Sequence, residues 1–424
     1  MRFAFVTPRY GAEISSGAEH ACRLLAEQVS ERHDVDVLTT CARDPLTWKN
    51  EYAEGADRVR GVLVRHFAVS QPHDRTAFNQ FSDRLFTGPR ARSEELEWVR
   101  RLGPSSPALI EHLKRQHRSY DAILFFSLCH ATTVHGMAIA PERSVLFPHL
   151  QMDRALRFGL WAEVASSARG VGYLSASERR LARAFLQVAP AVEEVVGIGI
   201  DAPPQQAYPR HQQDPADEMP LDDEAGAEAD KAAEVDPLTG RGVPFRRRHR
   251  LYGPFALYGG RVERDNGCEE MLEYFDTYAA ADGDTSLVLM GVKMMKVPEE
   301  RYLRLAGVLP DRERMIAYEA ADVTLAPTPD DLLSQSLLES FAVGTPVLAS
   351  ARNDAAVEHV RRANAGLYYA NRDEFAEALR MLMTNTRLRE KLGENGRQYV
   401  RQNHRWDAVL DRFERLITKV RGRS

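Results

Sequence analysis

The sequence predicts two consecutive α/β domains, each built on a parallel β-sheet of the Rossmann kind. Short apolar segments alternate with amphipathic helical segments through the first 200 residues, and the same alternation restarts after residue 250. Strands that are separated by helices pair in parallel through right-handed crossovers. A chain of 424 residues is also too long for a single core. We therefore expect two Rossmann-like domains that face each other across a cleft, with the ligand site at the carboxyl ends of the strands.

The predicted elements follow in order along the chain. The strands of the first domain are Phe3–Thr7, Val35–Thr39, Val62–Phe67, Ala122–Ser127, Ser144–Phe147 and Gly172–Leu174. Its clearest helices begin at Ser16 and span Pro107–Arg118. The strands of the second domain are Phe255–Tyr258, Ser286–Met290, Val323–Ala326 and Pro346–Ala349.

Composition divides the chain into four segments. Residues 1–201 and 246–403 carry the two α/β patterns, and residues 404–424 form a final amphipathic helix that we expect to pack on the first domain. Residues 202–245 are different, because Asp214 to Asp236 contains ten acidic residues and one lysine. Such a segment buries too little apolar surface to order itself, which predicts a disordered linker insertion. It is either a regulatory tail that folds onto the basic run 246–250 or a tolerated surface insertion.

Charge and cysteine usage exclude several classes of protein. The net charge is −5 with both signs interspersed, whereas a general nucleic-acid binder is basic. No apolar run reaches the 18 residues that a membrane span needs. The four cysteines are scattered, which argues against a zinc site or a disulfide framework and fits a cytoplasmic protein. They are Cys22, Cys41, Cys129 and Cys268.

The most informative stretch is residues 326–350, which predicts a strand, a loop, a helix, a Gly-Thr-Pro turn and another strand. Ser336 and Glu339 have the spacing of a capping box, so we expect the helix to begin at Ser336. A helix N-terminus that faces a cleft favours an anion such as a diphosphate. Asp331 lies on the loop just before this helix.

This stretch resembles the donor site of the retaining GT-B glycosyltransferases of the group 1 type, in which two glutamates are separated by seven residues. Glu339 matches the second glutamate and Asp331 falls at the first. The resemblance implies that Asp331 contacts the hydroxyls of the donor sugar and that Glu339 binds the ribose hydroxyls. It also assigns the residues at the helix start, Ser334, Gln335 and Ser336, to the donor. The chain departs from the family at Leu332-Leu333-Ser334, where Gly-Phe-Gly is usual.

Two further stretches of the second domain resemble the same family. Gly260-Arg261 matches its Gly-Arg motif, which implies that Arg261 holds the donor diphosphate and stabilises the leaving group. The lysine that follows in the family is replaced here by the neutral Asn266. The loop with Val308 and Leu309 resembles the one whose backbone contacts the nucleobase.

The first domain supplies the other side of the expected site. Thr7 to Glu19 is a strand, a loop and a helix start, and Ser16 with Glu19 forms a second capping box. The stretch is similar to the family's glycine loop, with Ser16-Gly17 where two glycines are usual, and its backbone is expected to approach the donor. His149 follows a strand and resembles the family's interdomain histidine near the reaction centre. His130 and His135 are rivals for that role.

Together these observations predict a retaining hexosyltransferase that moves a sugar from a nucleotide-sugar donor to a hydroxyl acceptor. The residues expected to act on the reaction are His149, Arg261 and Asp331. No Asp or His cluster has metal-ligand spacing, so we expect neither a metal nor another cofactor. The acceptor is a glycan, a lipid-linked glycan or a small molecule, which allows peripheral membrane contact and a role in polysaccharide or glycoconjugate biosynthesis. We expect variable loops such as residues 70–100 to select it.

Two alternatives remain at this point. The first is a degenerate glycosyltransferase that binds a nucleotide or a partner without turnover, which Asn266, Asp331 and the missing Gly-Phe-Gly favour. The second, with less support, is a nucleotide-sugar epimerase of the same architecture.

Overall fold

The structure, a computed structural model, describes residues 1–14, 17–150, 154–186, 190–201, 242–282 and 284–422. Within these ranges the chain forms one sheet of eight strands and one of six. Both sheets are parallel apart from one antiparallel edge pair, which confirms the predicted α/β class. Most of the predicted acidic insertion, residues 202–241, lies outside the described residues.

The first sheet has the order β3-β4-β2-β1-β5-β6-β7-β8. Its strands are β1 Arg2–Val6, β2 Asp34–Thr40, β3 Gly55–Val59, β4 Val62–Phe67, β5 Ala122–Phe126, β6 Ser144–Phe147, β7 Gly170–Tyr173 and β8 Glu193–Val195. Its helices are α1 Gly17–Val29, α2 Arg75–Thr87, α3 Arg92–Leu102, α4 Pro107–Gln116, α5 Ala131–Met137, α6 Leu160–Ser167 and α7 Ala176–Phe185. The central strand β5 is apolar and buried at every position because helices cover both faces of the sheet.

The second sheet has the order β11-β10-β9-β12-β13-β14. Its strands are β9 Phe255–Gly259, β10 Ser286–Met290, β11 Leu303–Gly307, β12 Val323–Ala326, β13 Val347–Ser350 and β14 Gly366–Tyr369. The helices of this half are α8 Val243–His249, α9 Cys268–Asp282, α10 Asp311–Ala320, α11 Gln335–Val343, α12 Asp354–Ala363, α13 Arg372–Thr384 and α14 Thr386–Asn403, followed by α15 Trp406–Arg421.

The last helix, α15, packs on the first sheet rather than the second. The Phe413 ring lies edge-on to Phe3, with 5.7 Å between the ring centroids. Gly172 on β7 leaves room for this packing, since a Cβ there would lie 3.1 Å from Leu416 and 2.5 Å from Phe147. Apolar residues of α15 and of β1 therefore share one hydrophobic core.

The chain crosses between the domains at two neighbouring points. Ile200 N donates to His404 O at 2.8 Å, and His404 Nδ1 bonds to Ile198 O at 3.0 Å. A Cβ on Gly199 would lie 2.3 Å from the ring of Trp406, so only glycine fits there. These contacts join the end of the first domain to the start of α15 and fix where the two sheets meet.

Two expectations about this architecture are wrong. Residues 70–100 are mainly the helices α2 and α3, not loops. Their apolar side chains pack together, and the Phe78 and Trp98 rings lie 5.3 Å apart. Residues 243–245, which we assigned to the insertion, begin α8, and Phe245 is buried in the second domain because it packs against Phe255.

Candidate active site

Two helices begin at the carboxyl ends of the two sheets and meet across the cleft. The first, α1, follows β1, and the second, α11, follows β12. His20 on α1 is 2.8 Å from the side-chain oxygen of Gln335, the first residue of α11. Since that oxygen only accepts, His20 Nε2 is the donor. Burial lowers the pKa of His20 to about 4, so the ring is neutral and the bond is an ordinary hydrogen bond between the domains.

The first domain contributes a cavity of about 190 Å³ beside the start of α1. It is bordered by α1 and by the loops after β5 and β6, with Trp161 of α6. The polar residues on its wall are Glu19, Ser127, Cys129, His130 and His149. Gly17, which also lines it, has φ +76° and needs the freedom of glycine to begin the helix at this angle.

His149 lies on the cavity wall in a strained backbone conformation. Its φ is +48°, in the left-handed region that non-glycine residues rarely adopt. Its Nδ1 is buried and has no hydrogen-bond partner in the described structure. Burial lowers the pKa of His149 to about 4, so at neutral pH the ring is uncharged. It therefore offers the cavity a neutral donor and acceptor rather than a cation.

The two rival histidines differ in position. His130 lines the same cavity, where its Nδ1 is bonded to Ser127 Oγ at 2.7 Å. His135 lines a separate groove with Ser106 and Lys114. His149 and His130 are thus placed together and His135 is not.

Glu19 is the carboxylate on the cavity wall, and it is held by an arginine. Arg9 Nε donates to its Oε1 at 3.1 Å, and the Arg9 Nη2 atom is also 3.1 Å away. The helix α1 begins at Gly17, while Ser16, the residue expected to share a capping box with Glu19, lies outside the described residues.

The helix α11 begins one residue earlier than expected, and the predicted capping box is wrong. Gln335 is its first residue, and Ser334 precedes it with φ +47°. The turn is made by Asp331, whose Oδ1 accepts from Leu333 N and Ser334 N, both at 3.1 Å. Burial raises the pKa of Asp331, and these two backbone bonds partly oppose the shift. Asp331 therefore shapes the loop that leads into the helix.

Glu339 is buried and makes no cap, because an arginine from another helix holds it. Arg314 on α10 donates from Nε to Oε2 at 3.0 Å and from Nη2 to Oε1 at 2.8 Å. Gln335 Nε2 donates to the same Oε1 at 2.9 Å. A continuous chain of bonds thus runs from Arg314 through Glu339 and Gln335 to His20 of the first domain. Sequence reasoning missed Arg314, which lies 25 residues before Glu339 and outside every motif.

The loop after β9 presents Arg261 and is closed by Asn266. The Arg261 carbonyl oxygen accepts from Tyr258 Oη at 2.8 Å and from Asn266 Nδ2 at 2.9 Å. The Arg261 side chain is 56% exposed and is paired with Glu263 at 2.7 Å. Arg264, on the same loop, is 75% exposed and is paired with Glu269.

This loop lies against the loop after β12. A Cβ on Gly267 would be 2.6 Å from Pro327 O, so the two backbones are in contact. Gly267 has φ +71°, which again requires glycine. The close approach brings the Arg261 segment next to the segment that carries Asp331.

The remaining expected residues lie at the end of β11. Val308 is 70% exposed and Leu309 is half-buried, on the short loop between β11 and α10. Because α10 also carries Arg314, this loop and Glu339 belong to one side of the cleft.

The second domain is similar to a known protein family. Residues 244–399 match the family described as glycosyl transferases group 1. The second half of this chain is thus similar to the group 1 glycosyltransferases. The donor-side residues described above, from Gly260 to Glu339, all lie within this matched range. The predicted resemblance is thereby confirmed at the level of the family, although the first acid of the motif is Asp331.

A curated relative and several solved structures are similar to this chain. A glycosyltransferase 1 domain-containing protein 1 from Xenopus tropicalis is 30% identical over 90 residues, which are 21% of this chain and 25% of that protein. The chain thus matches about a quarter of that relative's length. Sucrose-phosphate synthase from Thermosynechococcus elongatus has a TM-score of 0.66 and 15% identity, with 100% of both chains covered.

Two other structures show the same likeness of fold. The Anabaena protein HepE, in complex with UDP and glucose, has a TM-score of 0.65 and 13% identity over 98% of this chain and 99% of that one. WaaG, a glycosyltransferase involved in lipopolysaccharide biosynthesis, has a TM-score of 0.58 and 15% identity over 99% of each chain. The chain described here therefore has the GT-B fold, as predicted.

Two structural features are absent from the described ranges. No helix in them is long and apolar enough to cross a membrane. Among the same residues, no group of three His, Cys, Asp or Glu side chains is arranged to hold a metal ion.

Proposed function

We propose that this protein transfers a hexose from a nucleoside-diphosphate sugar to a hydroxyl acceptor, with retention at the anomeric carbon. The observation that carries the proposal is the meeting of α1 and α11 across the cleft, joined by the bond from His20 to Gln335. Each helix N-terminus carries partial positive charge and free N–H groups, which favour a diphosphate between the domains. The group 1 glycosyltransferase family of the second domain supports this choice of ligand.

In this proposal each donor-side residue contacts a different part of the donor. Glu339 binds the ribose hydroxyls, Asp331 faces the sugar, and Arg261 lies with the leaving diphosphate. The lone pair of Glu339 Oε2 that Arg314 leaves free accepts a hydrogen bond from a ribose hydroxyl, while the two bonds from Arg314 orient the carboxylate. The solved structures of Anabaena HepE, which contain UDP with glucose or UDP-glucose, support a nucleotide-sugar as the donor class.

The proposed reaction proceeds on one face of the sugar. The bond from the anomeric carbon to the diphosphate breaks, and the acceptor oxygen attacks from the same side. The departing phosphate oxygen takes the acceptor proton, while Arg261 and the start of α11 stabilise its negative charge. Glu19 is the one carboxylate among the described residues of the cavity wall, and its pair with Arg9 argues against a nucleophilic role.

We expect turnover to survive chelation, because the proposal assigns the leaving-group charge to Arg261 and a helix N-terminus rather than to a metal. The rate of nucleoside diphosphate release should be the same before and after dialysis against EDTA. Loss of release in EDTA, followed by recovery on adding magnesium or manganese, would contradict the metal-independent mechanism.

Replacing the neutral Asn266 by a cation is expected to strengthen binding of the nucleoside diphosphate. We expect Asn266→Lys to tighten binding of the nucleoside diphosphate about ten-fold, a net gain of ~1–2 kcal/mol after desolvation of the ammonium. Lysine also loses the bond to the Arg261 carbonyl oxygen, so Asn266→Ala is the control for that loss. Asp265→Lys controls for added charge on the same loop. Equal affinities of Asn266→Lys and Asn266→Ala, measured by calorimetry, would show that position 266 does not face the diphosphate.

A second function is favoured by two specific observations. The Glu339 carboxylate is already engaged by Arg314 and Gln335, and Asn266 supplies no cation. Both suit a degenerate glycosyltransferase that binds a nucleotide or a partner without turnover. Stabilisation by nucleoside diphosphates in a thermal-shift assay, with no diphosphate release from any nucleotide-sugar, would favour this function over transfer.

A further inference from the structure

The residue of interest is Glu178, a carboxylate in the first domain that no motif includes. It is fully buried and lies in the first turn of α7, whose N-cap is Ser175. The helix follows β7, next to β6 in the sheet. Its side chain therefore lies between the loop after β7 and the loop after β6, which carries His149.

The Glu178 carboxylate accepts hydrogen bonds from the backbone of both loops. Oε2 accepts from Leu174 N at 2.7 Å, and Oε1 accepts from Leu150 N at 3.1 Å. The backbone N–H groups of His149 and Ser175 also favour its ionised form. The contact with Ser175 belongs to an ordinary capping box. The bond from Leu150 does not, since it ties a neighbouring loop to the helix.

Stability alone gives little reason for a carboxylate here. Burial raises the pKa of Glu178 to about 7, although four backbone N–H groups oppose the shift. Ionisation at this place is therefore costly, and buried charges are often replaced by apolar residues without loss of stability. What an apolar side chain cannot do is accept the hydrogen bond from Leu150 N on the loop after β6.

The loop after β6 also carries His149, whose backbone conformation is strained. His149 has φ +48°, and a non-glycine residue in that region costs roughly 1–3 kcal/mol unless its surroundings hold it there. Glu178 accepts a hydrogen bond from the N–H of Leu150, the residue directly after His149. The position of the imidazole in the cavity follows directly from this backbone conformation.

We propose that Glu178 is a positioning residue that sets the His149 imidazole in the cavity between donor and acceptor. The inference rests on the proposed function for the role of His149, but the placement itself is testable without turnover. A carboxylate accepts at both oxygens, whereas the amide of glutamine accepts at one and donates at the other. Glu178→Gln therefore keeps the shape and leaves at least one of these backbone N–H groups facing another donor.

The first measurement is the titration of the His149 ring, followed by NMR of protein labelled in its histidines and assigned with His149→Gln. Burial sets the pKa of His149 at about 4 in the native protein. We expect Glu178→Gln to raise it toward the ordinary value of about 6.5, because the released loop exposes the ring. The matched control is Asp36→Asn, a buried carboxylate of the same sheet, which Tyr120 Oη and Arg2 hold at the start of β2. This control should lose stability and leave the His149 titration unchanged.

The second measurement separates kcat from KM with the nucleotide-sugar that the native protein turns over. We expect Glu178→Gln to lower kcat about ten- to hundred-fold with little change in the KM for the donor, since a displaced group near the reacting atoms costs that much. If Glu178→Gln does not fold, Glu178→Asp is measured instead, because it keeps the charge and withdraws the carboxylate by one methylene. Glu178→Asp should change the pKa of His149 and kcat in the same direction as Glu178→Gln, but by a smaller amount.

The outcomes distinguish the two proposals. A His149 titration in Glu178→Gln or Glu178→Asp that matches both native protein and Asp36→Asn would overturn the positioning role, whatever the activity. A shifted titration with kcat unchanged would overturn the link from Glu178 to the reaction. Absence of turnover in the native protein would count against the proposed function, while the titration would still decide whether Glu178 places His149.

Discussion

We expect Arg261→Ala to lower kcat by roughly 10²- to 10³-fold, the largest effect predicted for a single side chain here. The guanidinium lies at the carboxyl end of β9, and it is the one cation of the Gly-Arg motif that the chain retains. The Arg261 side chain is 56% exposed in its pair with Glu263, so a diphosphate can compete for it. With Asn266 neutral, Arg261→Ala leaves the leaving group without either of the motif's cations.

Arg264→Ala is the matched control for this variant. Arg264 lies three residues away on the same loop, is 75% exposed and is paired with Glu269. It should retain nearly full turnover, as exposed ion pairs contribute little. Equal rates of diphosphate release from the two variants, both folded by circular dichroism, would show that Arg261 does not stabilise the leaving group.

We expect Glu339→Ala to weaken nucleoside diphosphate binding by about 10- to 100-fold, or ~1.5–3 kcal/mol. Charged hydrogen bonds to buried hydroxyls carry about that much free energy. The change also removes the partner of Arg314 and the acceptor of Gln335, so it loosens the bond chain to His20. Calorimetric titration with nucleoside diphosphates measures the loss.

Asp322→Ala separates affinity from stability in this test. Asp322 is also a carboxylate of the second domain held by an arginine, since Arg246 Nη2 lies 3.2 Å from its Oδ2. It precedes β12 and so lies at the opposite edge of the sheet from the cleft. We expect it to lower the melting temperature without changing the affinity. If Glu339→Ala binds as tightly as Asp322→Ala, Glu339 serves Arg314 and not the ribose.

Much of the fold was predictable from the sequence because its central strands are buried on both faces. Apolar runs such as Ser286–Met290 and Val323–Ala326 have the predicted bounds. Four strands escaped prediction, β3, β8, β11 and β14, and all four lie at an edge of a sheet. β3 is polar and exposed, β8 has three residues, and β11 and β14 are partly exposed. The helices α2 and α3 were predictable in principle, since Phe78, Ser82 and Leu85 recur on one face, but their charged residues obscured the period.

The sequence predicts the parts of the candidate site that depend on local residue spacing. It does not predict the contacts that depend on residues distant in the sequence. Ser336 and Glu339 have the spacing of a capping box, yet Arg314 takes the carboxylate and Asp331 makes the turn. No local pattern reveals a partner 25 residues away on another helix. The same holds for Glu178, whose spacing from Ser175 indicates a cap but whose bond to Leu150 depends on the neighbouring strand.

The central claim, transfer from a nucleoside-diphosphate sugar, is tested most directly by incubating the native protein with a panel of nucleotide-sugars. Free nucleoside diphosphate is then measured, with and without hydroxyl acceptors. The account predicts that at least one nucleotide-sugar releases its diphosphate, that an acceptor speeds the release, and that Arg261→Ala slows it by roughly 10²- to 10³-fold. Diphosphate release no faster than in buffer from every sugar of the panel, by a protein that is folded and binds nucleoside diphosphates, would contradict it.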